Sequence, residues 1–235
     1  MNYIIIGRGR LARHLEHYFE ALGLRCAMWH RDIPIDTLRS LVDISAVPIL
    51  LCIDDDAIEP FLQEHPWMPK NRTIHCSGSR YLEEIPGLHP LCTFADDLYN
   101  VEAYESIPFV ADRQGIELPG VPNPIFSIEP GDKPLYHALC VLAGNCTTLL
   151  WQKLFEKFPD IGLPPESALP YLLQVTENLI DQPKSCLTGP FVRGDQKTIE
   201  SNLAALGTDA YASVYDAFRR AHERPRVSKP EIAYI

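Results

Sequence analysis

Residues able to do chemistry occur at several separated places in this 235-residue chain, and the first is a glycine turn. Gly7-Arg8-Gly9-Arg10-Leu11-Ala12 follows directly on the apolar run 3–6 and opens an amphipathic stretch over 11–22. Gly-x-Gly-x-x-Ala between a strand and a helix suits a dinucleotide. The first glycine makes the tight bend, the second admits a pyrophosphate to the backbone, and the small third residue lets helix and strand pack closely. The anion would rest on the free N–H groups and positive dipole end of the helix. A plain strand–turn–helix corner would use the same glycines for backbone freedom alone. Placement between strand and helix favours the nucleotide, so Gly7, Arg8, Gly9, Arg10 and Leu11 are expected to bind a cofactor.

The next group bears on which cofactor. About 20 residues past such a turn, an NAD site places an acid that accepts from the ribose 2′-OH. Here the order is Trp29-His30-Arg31, with Asp32 only after the arginine. Arg31 can grip a 2′-phosphate bidentately where an acid would repel it. His30 and Arg31 are therefore assigned to an NADP site, with NAD still possible; otherwise Arg31 is solvated and Trp29 caps the sheet.

Asp54-Asp55-Asp56 follows Ile53. Three consecutive carboxylates diverge, so they read as caps and dipole partners of the next helix, and no metal site is expected. Ile53 and Asp54 border the cofactor edge, and Ser77-Gly78 would meet the nicotinamide ribose or carboxamide, unless it is a simple turn. His89, in a loop beside Pro90, is a substrate-binding candidate or a turn element. His137 and Asn145 are eight residues apart on one helix, about 80° apart at roughly 100° per residue. They are candidates for catalysis in a shared cleft, or an internal hydrogen-bonded pair. In Thr188-Gly189-Pro190-Phe191-Val192-Arg193-Gly194-Asp195, Thr188 and Arg193 are substrate-binding candidates. Alternatively an Arg193–Asp195 link stiffens the turn, with Asp195 capping the following helix.

These residues need elements to hold them. Strands are expected at 3–6, 24–29, 47–53, 72–76, 108–111 and 124–128, alternating in the first half with helices at 11–22, 35–42 and 54–64. That alternation marks an α/β fold with a parallel sheet. Gly7–Ala12, His30-Arg31, Asp54–Asp56 and Ser77–Ser79 then fall at the carboxyl ends of four strands, the edge where open α/β sheets bind ligands. Beyond Pro130-Gly131 the pattern is helical, with helices over 133–158, 166–180 and 196–222. Expected domains are 1–130 for dinucleotide binding and 131–222 for substrate and dimerisation, with a tail at 223–235.

Composition narrows the function classes. A formal charge of −10 argues against nucleic-acid and anionic-membrane surfaces. No apolar run reaches the roughly 18 residues of a membrane span. The first strand begins almost at Met1, leaving no room for a leader, so a cytoplasmic protein is expected. The seven cysteines are scattered without a CxxC pair and read as reduced core thiols.

Taken together, Gly7-x-Gly9-Arg10-Leu11-Ala12, Asp54-Asp55-Asp56-Ala57-Ile58, His75-Cys76-Ser77-Gly78-Ser79 and His89-Pro90-Leu91 form a pattern with Tyr136-His137-Ala138, Leu142-Ala143-Gly144-Asn145 and the Thr188–Asp195 motif. It resembles NADP oxidoreductases built from a Rossmann-like domain followed by a helical C-terminal domain of unassigned function, over about residues 3 to 215. That group is similar in architecture to ketopantoate reductase, pyrroline-5-carboxylate reductase and the β-hydroxyacid dehydrogenases. The resemblance implies a Rossmann-like parallel sheet with a smaller all-helical domain. It also implies a cofactor across the sheet edge, a substrate cleft between domains and a homodimer through the helices. The β-hydroxyacid dehydrogenases carry a catalytic lysine four residues before an asparagine. Val141 holds that place before Asn145, and Lys133 is twelve residues before it, so the lysine does not carry over. His137 becomes the candidate proton donor, because histidine titrates near neutral pH. The expected activity is NADP-dependent oxidoreduction of a small carbonyl, imine or hydroxy acid. A non-catalytic NADP sensor or dimeric scaffold is the other reading.

Overall fold

The computed structural model describes residues 1–223 and falls into two compact units, Met1–Trp151 and a second from Gln152 onward. In the first unit, β1 (Tyr3–Ile6) is buried along its whole length. Tyr3 and Ile5 pack with Leu15, Tyr18 and Phe19 of α1 (Arg10–Ala21). Ile4 and Ile6 point the other way, to Leu38 and Val42 of α2 (Ile35–Asp43) and Ile58 of α3 (Asp55–Glu64). Helices on both faces explain why β1 is continuously apolar instead of alternating.

β1 pairs in parallel with β2 (Cys26–Trp29) and β3 (Ile49–Leu51), and β3 pairs with β4 (Thr73–His75), giving the order β2-β1-β3-β4. All four carboxyl ends therefore share one edge. The adjoining sheet contains β5 (Leu88–Pro90), β6 (Phe109–Ala111) and β7 (Ile125–Ser127), with β5 antiparallel to β6. A bridge between His75 and Gly87 links β4 to the segment entering β5.

Several elements differ from the sequence expectation. The loop expected around His89 is strand β5, whose three residues end in proline and are too few to show a period. A short helix, α4 (Val101–Glu105), lies in a stretch given no element, with Asn100 capping it through Ala103 N. The helix expected over 133–158 is interrupted: α5 (Lys133–Val141) passes through a π-turn, Leu142–Cys146, into α6 (Thr147–Lys157). The first compact unit runs past the expected boundary at 130 because Lys133, at the start of α5, is buried against Asp112.

The second unit contains α7 (Leu169–Asp181), α8 (Pro190–Arg193), α9 (Gln196–Leu206) and α10 (Ala210–Glu223). The helix expected over 196–222 is two helices, broken where Gly207 takes φ +56°. Lys153 holds Asp209 at 2.6 Å, and Phe191 packs on Tyr215 with ring centroids 5.1 Å apart. The expected tail lies outside the described residues beyond Glu223. Among the described residues, no helix is long and apolar enough to cross a membrane.

Candidate active site

At the exit of β1, Gly7 N donates to Trp29 O at 2.8 Å and Gly7 takes φ +137°. A Cβ here would strike the carbonyl oxygen of Cys52, so only glycine lets the turn pass the end of β3. Gly9 differs: its backbone is ordinary, with φ −68°, and a Cβ would meet nothing within 4 Å. Its exposed backbone opens into a cavity of about 810 Å³ bordered by Gly7, Arg8, His30, Arg31, Ile53 and Asp54, with Trp29 and Phe61 among the apolar walls. Gly9 gives α1 no side-chain cap and the first turn carries no acid, so the helix presents an uncapped positive end to this cavity. Ala12 is fully buried in the core, as the third small position requires.

Charge is distributed unevenly around this cavity. Arg8 pairs with Asp32, and His30 Nδ1 is 3.7 Å from the same carboxylate. Arg31 is exposed and has no ion pair among the described residues. The acid following the arginine is thus already neutralised, and the arginine is free.

The aspartates after β3 serve a different purpose from the caps expected of them. Asp54 occupies the N-cap position of α3 without a side-chain cap bond. Asp55 accepts from Ser79 Oγ at 2.6 Å and Asp56 pairs with Arg80, tying the exit of β3 to that of β4. Asp55 and Asp56 still stand in the first turn of α3, where the dipole favours them.

Beside this edge lies a small cleft of about 190 Å³ bordered by Leu11, Ser77, Gly78, His89, Cys92 and His137. The two histidine rings close over Gly78. A Cβ there would lie 2.6 Å from His137 Cδ2 and 3.0 Å from His89 Nε2, so Gly78 is glycine by close approach. The rings are nearly perpendicular, at 84°, with centroids 6.1 Å apart. His89 Nδ1 is 2.7 Å from the hydroxyl of Tyr136. Burial pushes the His89 imidazolium down to about 4, and His137 and Lys133 reinforce this against Asp55. Burial, with help from Cys140, raises the Tyr136 phenol.

His89 and His137 also line a larger cavity of about 870 Å³ along α5, with Arg10, Tyr136 and Asn145 and the aliphatic side chains of Leu139 and Leu149. The π-turn matters here. On a regular helix His137 and Asn145 would be about 80° apart, but a π-turn takes one extra residue into the turn. Eight residues then advance like seven, and the offset falls to about 20°. Both residues face one cavity for that reason.

Beneath the histidines, Lys133 Nζ is 2.7 Å from Asp112 Oδ2, Gly87 N donates to Asp112 Oδ1 at 2.9 Å, and Arg113 Nε reaches the same oxygen at 3.2 Å. Burial alone would raise the Asp112 carboxyl, but the bonds from Lys133 and Gly87 outweigh it and bring the group below its ordinary range. Burial pulls the Lys133 ammonium down against the opposing pull of Asp112. His75 is fully buried beside them, and neither ring nitrogen has a hydrogen-bond partner among the described residues. Burial, then Lys133, pushes it down to about 4. This cluster fixes the first turn of α5, from which Tyr136 and His137 project.

Most of the sequence-derived residues line these cavities, Leu11 the small cleft and not the first cavity, with two further qualifications. Arg10 borders the larger cavity and not the first one, held by Phe94 O at 3.4 Å and Asp96 at 3.7 Å. Thr188 and Arg193 belong to the second unit. There Arg193 is engaged by Asp195 at 2.6 Å, and Asp195, at the N-cap of α9, makes no side-chain cap bond. Tyr136 was missed. Its adjacency to His137 was the available signal, and its partner lies 47 residues away.

Residues 120–222 match the family described as "Domain of unknown function (DUF2520)", a span that includes Tyr136, His137 and Asn145. No curated protein matches the chain by sequence. Among solved structures, a presumptive NADP oxidoreductase from Bacteroides fragilis is similar at 20% identity, covering 95% of this chain and 98% of its own, with a TM-score of 0.75. An imine reductase from Streptomyces aurantiacus is similar at 16% identity, covering 94% of each chain, with a TM-score of 0.57. Pyrroline carboxylate reductase from Plasmodium falciparum, solved with NADP bound, is similar at 12% identity, covering 94% of this chain and 96% of its own, with a TM-score of 0.56. The fold is thus Rossmann-like, with a helical C-terminal region.

Proposed function

We propose that this chain is an NADP-dependent oxidoreductase acting on a carbonyl, imine or hydroxy-acid substrate. The observation that carries the reading is the free Arg31 at the end of β2, bordering the same cavity as the bare backbone of Gly9. A dinucleotide with a 2′-phosphate suits both features: the diphosphate on the uncapped amides of α1, the third phosphate on Arg31. Neighbours that share the fold include NADP enzymes, which supports the choice.

The coenzyme, when bound, exchanges hydride with the substrate at its nicotinamide ring. This chain's residues do the rest. Ser77 and Gly78 form the edge that receives the reacting groups, and His89, His137 and Asn145 orient the polar end of the substrate. Leu139 and Leu149 keep water from its apolar part. Thr188 and Arg193 stay in the proposal as substrate-binding residues, Arg193 exchanging Asp195 for a substrate carboxylate.

The proposal includes a homodimer through the helical region. Leu169, Leu173 and Ile180 form one exposed apolar stripe on α7, of the kind that seeks a second surface.

Calorimetric titration with NADPH and NADH tests the reading: heat is expected with NADPH, and its absence with both coenzymes would end the proposal. A survey of NADPH oxidation with 2-oxo acids, aldehydes and cyclic imines then identifies the substrate class.

A further inference from the structure

We propose that Tyr136 and His89 form a proton relay, Tyr136 Oη–H donating to His89 Nδ1 while His89 Nε2–H donates to the heteroatom of a substrate in the cleft. The inference rests on the oxidoreductase reading above and assigns the proton donor which that reading leaves open.

Three observations support it. The hydrogen bond joins Tyr136 Oη to His89 Nδ1 at 2.7 Å, with the two rings edge to face at 78°. The other nitrogen of His89 faces Gly78, at the turn where β4 delivers its edge residues. His89 also borders both the small cleft and the larger cavity, so one ring connects them. His137, the expected donor, turns a carbon, Cδ2, toward Gly78.

The surroundings suit a neutral imidazole. Tyr136, His137 and Lys133 face His89 from α5, Cys92 lies two residues past the end of β5, and Asp55 is the acid acting on it from α3. Burial and the two α5 bases disfavour the imidazolium, so one ring nitrogen keeps a lone pair; with Tyr136 Oη–H as the donor at 2.7 Å, that nitrogen is Nδ1.

The proton balance closes. Reduction of a carbonyl carbon leaves an electron pair on the oxygen, which takes the proton from Nε2. The Nε2–H pair stays on the ring as Nδ1 accepts the phenolic proton, leaving tyrosinate. On reset, water supplies a proton to Nε2 and the Nδ1 proton returns to Tyr136. Oxidation of an alcohol runs the same steps backward.

Nitrogen-15 NMR of histidine-labelled protein tests the relay. At pH 7, His89 is expected as the neutral Nε2–H tautomer, with a hydrogen-bonded Nδ1. Tyr136→Phe, which keeps the ring packing, should abolish the hydrogen-bond shift at Nδ1 and leave NADPH affinity unchanged. An Nδ1–H tautomer, an imidazolium at pH 7, or an Nδ1 signal unaffected by Tyr136→Phe would overturn the relay. With any substrate found in the survey, the same variant should lower kcat by about 100-fold or more, with little change in KM; wild-type kcat would also overturn it. Failure of the coenzyme reading shows separately, as absent NADPH heat with the His89 tautomer intact.

Discussion

Nζ of Lys133 lies 2.7 Å from Oδ2 of Asp112, with the two side chains only 1% and 0% exposed to solvent. The pair joins the first turn of α5 to the residue after β6, and so sets where Tyr136 and His137 emerge. Asp112 also receives the amide of Gly87, which leaves its charge dependent on buried partners. Lys133→Met should therefore strand a buried carboxylate and lower stability by about 3 kcal/mol, with Arg113 as partial compensation. Lys133→Met combined with Asp112→Leu should recover part of that loss. Urea unfolding of the two variants checks both statements, and a single variant as stable as wild type would contradict them.

Fully buried His75 and partly buried His89 predict acid sensitivity. His75 and His89 stay neutral in the folded protein down to about pH 4, against an ordinary value of 6.5. Between those values the unfolded chain binds more protons, so stability falls as pH drops through that window. Each ring contributes a slope of up to about 1.4 kcal/mol per pH unit. Unfolding free energies measured from pH 7 to 4 should lose one ring's share of slope in His89→Gln.

Arg31→Glu should weaken NADPH binding by roughly 10- to 100-fold, the scale of a lost charge-assisted bond, while leaving NADH binding nearly unchanged. Titration of both coenzymes decides the matter. Equal losses for the two would place Arg31 away from the 2′-phosphate.

The two turn glycines should separate folding from binding. Gly7→Ala combines φ +137° with a clash against the Cys52 carbonyl and should lower stability by at least about 2 kcal/mol. Gly9→Ala meets no neighbour within 4 Å, so it should fold normally yet lose coenzyme affinity. Thermal melts and NADPH titrations of each variant make the comparison.

Leu173→Asp together with Ile180→Asp would place two charges on the exposed stripe of α7. Sedimentation should then show a monomer where wild type shows a dimer. A monomeric wild-type protein would dispose of the dimer proposal.

Much of the site was legible because local sterics carry it. Gly7 has to be glycine where a backbone passes a neighbouring strand, and runs such as 3–6 are apolar because both faces are covered. The exits at His30-Arg31, Asp54 and Ser77-Gly78 followed once those strands were recognised. Other features left no local trace. β5 is three residues ending in proline, and the π-turn at Leu142–Cys146 is a change of hydrogen-bond step in an ordinary helical sequence.

The residues alone therefore determined the parallel sheet, the edge where its strands end together and the positive end of α1, all consequences of backbone freedom and side-chain period. Tertiary structure decided which partner each polar group took. Arg8 took Asp32, leaving Arg31 free, and Asp55 took Ser79. His89 met Tyr136 across 47 residues, and Lys133 met Asp112 across 21. Those choices depend on which surfaces the packed sheets and helices bring within hydrogen-bond reach, and no local spacing encodes that distance.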